Sequence, residues 1–309
     1  MSPLSSEPLP REGWDKIVNM FMSDQKEKAA PISLKAFLKK IIHQLKVAGI
    51  DHPRLEAEVL LAHFLNIDRL QLYTLWEKEL GESEIQKFQS LVSRRIGHEP
   101  LAYILGKREF WSLDFLVTPQ VLIPRPETEF VVEAVLAHVS DGALIIDVGT
   151  GCGIIAVCLA RERPEFHIYA FDLCEGALQV ARFNAIRYKV NNQITFLKAD
   201  LLSCLAPHSV DCIAANPPYI PTSEIFTLAP EIYNFEPHSA LDGGENGLEC
   251  FKRLIREAGR TLKPGGWLIM EVGYGQKDLL VEEIQKQKMH VRKTISDYSG
   301  LDRVIVSQK

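Results

Sequence analysis

The sequence predicts an α/β protein, a mostly parallel, doubly wound sheet of seven strands ending in an antiparallel pair, preceded by a small helical bundle. Three observations predict it. Between Pro31 and Gly97 the apolar residues recur at helical spacing. From about Glu127 onward short apolar runs alternate with helical stretches, the pattern of a parallel sheet with helices on both faces. The last two apolar runs are joined only by a turn around Asp297, Ser299 and Gly300. That is too short for a parallel crossover, so this pair is antiparallel.

Taken in order, residues 1–30 read as a loose tail. It begins with Pro3, Pro8 and Pro10, and Trp14, Ile17, Val18 and Phe21 suggest one short amphipathic turn pair. Residues 31–100 form the bundle, a candidate substrate-docking domain. Leu34, Phe37, Leu38, Ile41, Ile42 and Leu45 make one apolar stripe, with Ser33 as the cap and Gly49 closing the helix. Asp51 and Pro53 open a second helix carrying Leu55, Val59, Leu60 and Phe64, and a short third follows Asp68. Ser83 and Gln86 have capping-box spacing for the fourth, which stops at Gly97 before Pro100.

Residues 101–125 read as a hairpin linker, with extended chain from Phe110 to Val117, a turn at Pro119-Gln120 and Val121–Ile123 returning. Residues 126–309 form the sheet domain. Its strands are Leu144–Val148, Ile168–Asp172, Ile194–Leu197, Val210–Ala215, Trp267–Glu271, Val291–Ile295 and Arg303–Ser307. Helices are expected at Ile154–Arg163, Glu175–Tyr188 and Asp278–Lys288.

Composition excludes several classes. No stretch reaches the roughly 18 apolar residues of a membrane span, and no apolar run near the start resembles a signal peptide. The expected location is therefore cytoplasmic. The net charge of −5, with no dense Lys/Arg block, argues against gripping long nucleic acid through its phosphates. The six cysteines show no C-x-x-C pair and no histidine stands at zinc spacing, so no metal is expected.

Two motifs carry chemistry. Asp147-Val148-Gly149-Thr150-Gly151-Cys152-Gly153 joins the first sheet strand to its helix. Its glycines permit a tight turn and close backbone approach, with free N–H groups at the helix start for a ligand. Asp172 ends the next strand, where a carboxylate accepts both hydroxyls of a ribose. An adenosine-containing cofactor follows, but Gly151-Cys152-Gly153-Ile154-Ile155-Ala156 also fits a dinucleotide fingerprint. The loop alone leaves that choice open.

Asn216-Pro217-Pro218-Tyr219 leaves the carboxyl end of the fourth strand. Each proline fixes its own φ and lacks an N–H, and a residue before proline is pushed out of the helical region. The result is a stiff, extended tetrapeptide. The Asn216 side-chain oxygen and the Pro217 carbonyl can accept both hydrogens of one NH₂ group. Tyr219 is placed to stack on a flat acceptor. This arrangement suits methylation of an amide or aromatic amine, a poor nucleophile that needs alignment and charge stabilisation more than a base.

On these residues the chain resembles the bacterial peptide chain release factor glutamine methyltransferases. The likeness runs from about residue 33 to the C-terminus. It includes Arg54–Glu58, Pro100–Gly106, Phe110-Trp111, Leu122–Glu129, Phe235–Pro237, Leu241–Gly244 and Lys263–Gly266, besides the two motifs. It implies a class I S-adenosylmethionine-dependent methyltransferase, a Rossmann-like domain, which yields S-adenosylhomocysteine. It implies cofactor contacts from Gly149, Thr150, Gly151, Cys152 and Gly153, from Asp172, from Leu201 through apolar contact, and from Asn216. Asn216, Pro217, Pro218 and Tyr219 would bind the substrate glutamine, with Asn216, Pro217 and Tyr219 catalytic. The implied partner is a class I release factor, methylated in its Gly-Gly-Gln loop.

Enzymes acting on the exocyclic amine of adenine share Asn-Pro-Pro-Tyr, so that motif cannot choose between substrates. The related enzyme for a ribosomal-protein glutamine departs from the Pro124–Glu129 pattern, which this chain keeps. From Asn216 to about Glu245 some thirty residues show no clear helix or strand and read as an acceptor-binding wall. Arg125 and Glu127 either line the site or serve helix initiation and ion pairing.

Overall fold

The computed structural model describes residues 32–309, so Trp14, Ile17, Val18 and Phe21 lie outside the described residues. The chain divides into two compact units, the second beginning at Gly106.

In the first unit, α1 (Leu34–Val47) starts where Ser33, in extended conformation, accepts a hydrogen bond from Ala36 N at 3.3 Å. It ends as Gly49 turns at φ +78°. α2 (Pro53–Leu65) carries its proline at the first position, where no N–H is needed. α3 spans Glu82–Ile96, and the expected Ser83–Gln86 box does not form. Gly81 precedes the helix in extended conformation, so Glu84 reaches back to bond its amide at 2.9 Å.

α4 (Leu101–Leu105) folds with this unit rather than with a linker, anchored where Tyr103 and Ile104 donate to Pro100 O. Leu34, Phe37, Ile41, Leu60, Phe88 and Val92 are wholly buried together, whereas Leu55, one of the apolar residues of the second helix, faces solvent. The charges of Arg54–Glu58 pair internally, Glu56 with Arg95 and Glu58 with Arg54.

The second unit opens with the hairpin β1 (Lys107–Phe110) and β2 (Leu113–Leu116). Its turn is Trp111-Ser112, at φ +54° and +57°, and not Pro119-Gln120. Of the two-residue turns that match the strand twist, this is the type with positive φ at both positions. Neither residue announces that, since the usual Asn or Gly is missing. The Trp111 amide bonds Glu129 at 2.9 Å and its indole donates to Glu162 at 2.8 Å, which holds the turn. Val121–Ile123 forms no strand.

Then follow α5 (Glu129–His138), β3 (Leu144–Val148), α6 (Ile154–Glu162), β4 (His167–Asp172), α7 (Glu175–Arg187), β5 (Ile194–Lys198) and β6 (Val210–Ala215). α8 (Pro230–Phe235), α9 (Glu249–Thr261), β7 (Leu262–Glu271), α10 (Lys277–Lys286), β8 (His290–Ser296) and β9 (Asp302–Gln308) complete the chain. The sheet order is β8-β9-β7-β6-β3-β4-β5, with β9 antiparallel to both neighbours and the other pairs parallel. The strand order reverses between β3 and β6. Ligands bind outside the carboxyl ends of the strands at such a reversal.

The segment after Asn216 is more ordered than its sequence suggested. It holds 3₁₀ turns at Thr222–Thr227 and His238–Ala240 on either side of α8. Such short elements, started by Pro221 and Pro230, are too brief for apolar periodicity to reveal. Among the described residues no helix is long and apolar enough to cross a membrane. Cys152, Cys158 and Cys212 are buried, and all six cysteines are free.

Candidate active site

Strand register assembles the site. Val148 pairs with Phe171 on one side and with Ala215 on the other. The Gly149–Gly153 loop, Asp172 and Asn216 therefore leave adjacent strand ends side by side. Ala215 in turn pairs with Met270, which sets Glu271 beside Asn216.

The glycine loop is tight: Gly149, Gly151 and Gly153 all have positive φ. Its amides are less available than expected. Gly149 N and Thr150 N donate to Phe171 O, Gly151 N to Asp172 Oδ2, and Gly153 N to Thr150 O, all within 2.9 Å. The chain reverses so sharply that these groups face the neighbouring strand end, and the loop serves by its shape and close backbone approach. Asp172 also accepts from Cys174 N at 2.8 Å. Each of its oxygens thus has one backbone donor and retains a lone pair for a ribose hydroxyl.

Asp147 is fully buried, and Thr150 Oγ1 and Ala156 N both donate to its Oδ2. Its Oδ1 has no partner, and burial pushes the carboxyl up to about 7. Leu201 holds φ +49°, rare for a branched side chain.

A cavity along the strand ends is lined by Gly149–Cys152, Asp172, Leu201, Asn216, Pro217 and Pro218. Gly153 does not line it. A Cβ there would lie 3.1 Å from that of Ala181, so this glycine serves the packing of α6 on α7. The free lone pairs of the two Asp172 oxygens and the apolar Leu201, both on the cavity wall, fit an adenosine-bearing cofactor.

A second cavity is bounded by Arg125, Asn216, Pro217, Tyr219, Ile232 and Leu241. Asn216 and Pro217 border both cavities, whereas Pro218 borders only the first and Tyr219 only the second. Asn216 Nδ2 donates to Thr128 Oγ1 at 3.0 Å, and the Thr128 hydroxyl donates to Glu271 Oε2 at 2.6 Å. Among the described residues no donor bonds Asn216 Oδ1 or the Pro217 carbonyl.

Tyr219 directs its hydroxyl toward Glu271 Oε1 at 3.4 Å, and burial together with that carboxylate raises the phenol above its ordinary range. Its backbone is boxed in: a Cβ on Gly247 would fall 2.3 Å from Tyr219 O, and one on Gly243 2.8 Å from its Cα. Arg125 borders both cavities while pairing with the buried Glu236 at 2.7 Å.

Sequence reasoning missed three residues. Thr128 and Glu271 back Asn216, and the available signal was a carboxylate at the ligand end of the strand beside the acceptor strand. Asn184 is fully buried on α7. Its Nδ2 donates to Cys152 O at 2.8 Å and Leu116 O at 3.1 Å, and its Oδ1 accepts from Leu116 N at 2.8 Å. It thereby ties the glycine loop to the hairpin.

Residues 36–106 match the family model described as PrmC N-terminal domain, and residues 126–233 match Methyltransferase small domain. A release factor glutamine methyltransferase of Koribacter versatilis is 41% identical over 90% of this chain and 99% of its own. Those of Geobacter sulfurreducens and Aliivibrio fischeri are 40% and 37% identical, covering 83% and 90% of this chain and 90% and 98% of theirs. A methyltransferase structure from Pyrococcus furiosus superposes with TM-score 0.49 at 21% identity, covering 64% of this chain and 90% of that one.

Proposed function

The chain belongs to the release factor glutamine methyltransferase family, and from that premise we propose that Asn216 and Pro217 hold the acceptor amide against the cofactor. The enzyme transfers a methyl group from S-adenosylmethionine to the side-chain amide nitrogen of a glutamine in class I release factors. The acceptor is the glutamine of their Gly-Gly-Gln loop, and the work is done in the cytoplasm, where these partners act.

The observation that carries this reading is the shared wall. Asn216 and Pro217 separate two cavities, and their oxygens have no donor from the described residues. S-adenosylmethionine supplies an electrophilic methyl carried on a sulfonium. Gly149–Cys152, Asp172 and Leu201 would hold that cofactor in the first cavity, and the glutamine would enter the second.

The chain's own residues then prepare the nitrogen. An amide lone pair is delocalised, so the nitrogen attacks poorly. Two fixed acceptors take both N–H groups, orient the lone pair and stabilise the positive charge that develops on nitrogen. The extra proton leaves after transfer, so no base must act first. Tyr219, kept neutral by burial, bounds the acceptor side without competing as a nucleophile.

Labelled cofactor offered with release factor, DNA and RNA separately tests the reading. Label is expected on the release factor alone, and fragmentation places one methyl on its loop glutamine. Label confined to nucleic acid contradicts it.

A further inference from the structure

Asn216 can serve as an acceptor only if its amide is turned with oxygen toward the incoming nitrogen. Rotation by 180° about its last bond would present an NH₂ instead, and two donors would then face each other. Hydrogen-bond polarity decides which face is offered. Thr128 Oγ1 lies 3.0 Å from Asn216 Nδ2 and 2.6 Å from Glu271 Oε2. A hydroxyl has one proton to give. The 2.6 Å separation is that of a hydroxyl donating to a carboxylate. With its proton committed to Glu271, Thr128 meets Asn216 as an acceptor, which draws Nδ2 inward and leaves Oδ1 outward.

We propose that Glu271, acting through Thr128, is a positioning residue that fixes the amide polarity of Asn216 and so makes the site selective for an NH₂ acceptor. This rests on the proposed function and deepens it. The chain from carboxylate to hydroxyl to amide is polarised in one direction, which also raises electron density on Asn216 Oδ1. Glu271 touches neither cavity as a lining residue, so it works only through its neighbours.

The carboxylate is 2% exposed. The groups facing it are Thr128 and Glu127 from the turn before α5, Tyr219 after β6, and Arg303 on β9. Burial outweighs the Thr128 hydrogen bond and holds the carboxyl at about 7. Below that value Glu271 is protonated and can donate to Thr128, and the polarity of the chain is no longer enforced. Turnover is therefore expected to rise with pH through about 7 as the carboxylate forms.

The test compares Thr128→Val, Thr128→Ser and Glu271→Gln, with methylation of release factor and the NMR signals of the Asn216 side-chain amide as readouts. Thr128 borders the first cavity, so Thr128→Val should lower kcat between about tenfold and a hundredfold with a much smaller change in cofactor KM, while Thr128→Ser stays within about threefold. Glu271→Gln should lose the rise through neutral pH. In the free protein the Asn216 amide signals should move in Thr128→Val and hold in Thr128→Ser. Equal loss in the serine and valine variants, a retained rise in Glu271→Gln, or unmoved amide signals in Thr128→Val overturns the proposal. The NMR readout needs no acceptor, so it decides the point even if native enzyme fails to label release factor, a result that would strike only the substrate assignment.

Discussion

Asn216→Ala is expected to lower turnover by roughly two to three orders of magnitude, the cost of removing one preorganised partner of a developing charge. The alanine leaves Pro217 O as the lone acceptor, so the amide nitrogen is held by one hydrogen and can swing. The change also frees Thr128 Oγ1 from its bond to Asn216, but the Thr128–Glu271 bond remains, so the fold is expected to survive. Cofactor affinity should move only modestly, because Gly149–Cys152, Asp172 and Leu201 remain in place. Single-turnover rates and calorimetric titration of cofactor separate the two effects. Equal loss of rate and cofactor affinity would mean that Asn216 acts through the cofactor or the fold.

The second large effect is the reverse. Asp172→Ala should weaken cofactor binding by about 3 kcal/mol, near two orders of magnitude in Kd, if two charge-assisted bonds to ribose are lost. Turnover at saturating cofactor should stay within a few-fold of native. Part of the loss is indirect, because Asp172 also fixes Gly151 N and Cys174 N and so shapes the glycine loop. Titration of the variant with cofactor checks this. An unchanged Kd would remove Asp172 from the ribose.

The two effects fall on residues whose signals are local in sequence. Glycines between a strand and a helix, a carboxylate ending the next strand, and paired prolines after a third each state a backbone geometry within a few residues. The sheet was legible for the same reason, since its strands are continuous apolar runs with helices between them. What escaped was non-local or silent. Thr128 and Glu271 are 143 residues apart, and only the β6–β7 register brings Glu271 to Asn216. Asn184 joins the hairpin to the glycine loop across 68 and 32 residues. The Trp111-Ser112 turn carries none of the residue types that favour positive φ, so its position is readable only from the strand pairing it closes. The loop amides were expected free because a helix start usually offers them, and the tight reversal gave them internal acceptors.

The measurement closest to the central claim is a crystal structure with S-adenosylhomocysteine and a glutamine peptide from the release factor loop. The peptide's amide nitrogen is expected within hydrogen-bond distance of both Asn216 Oδ1 and the Pro217 carbonyl. A glutamine bound with its nitrogen elsewhere, while those two oxygens meet donors of the protein itself, would contradict it.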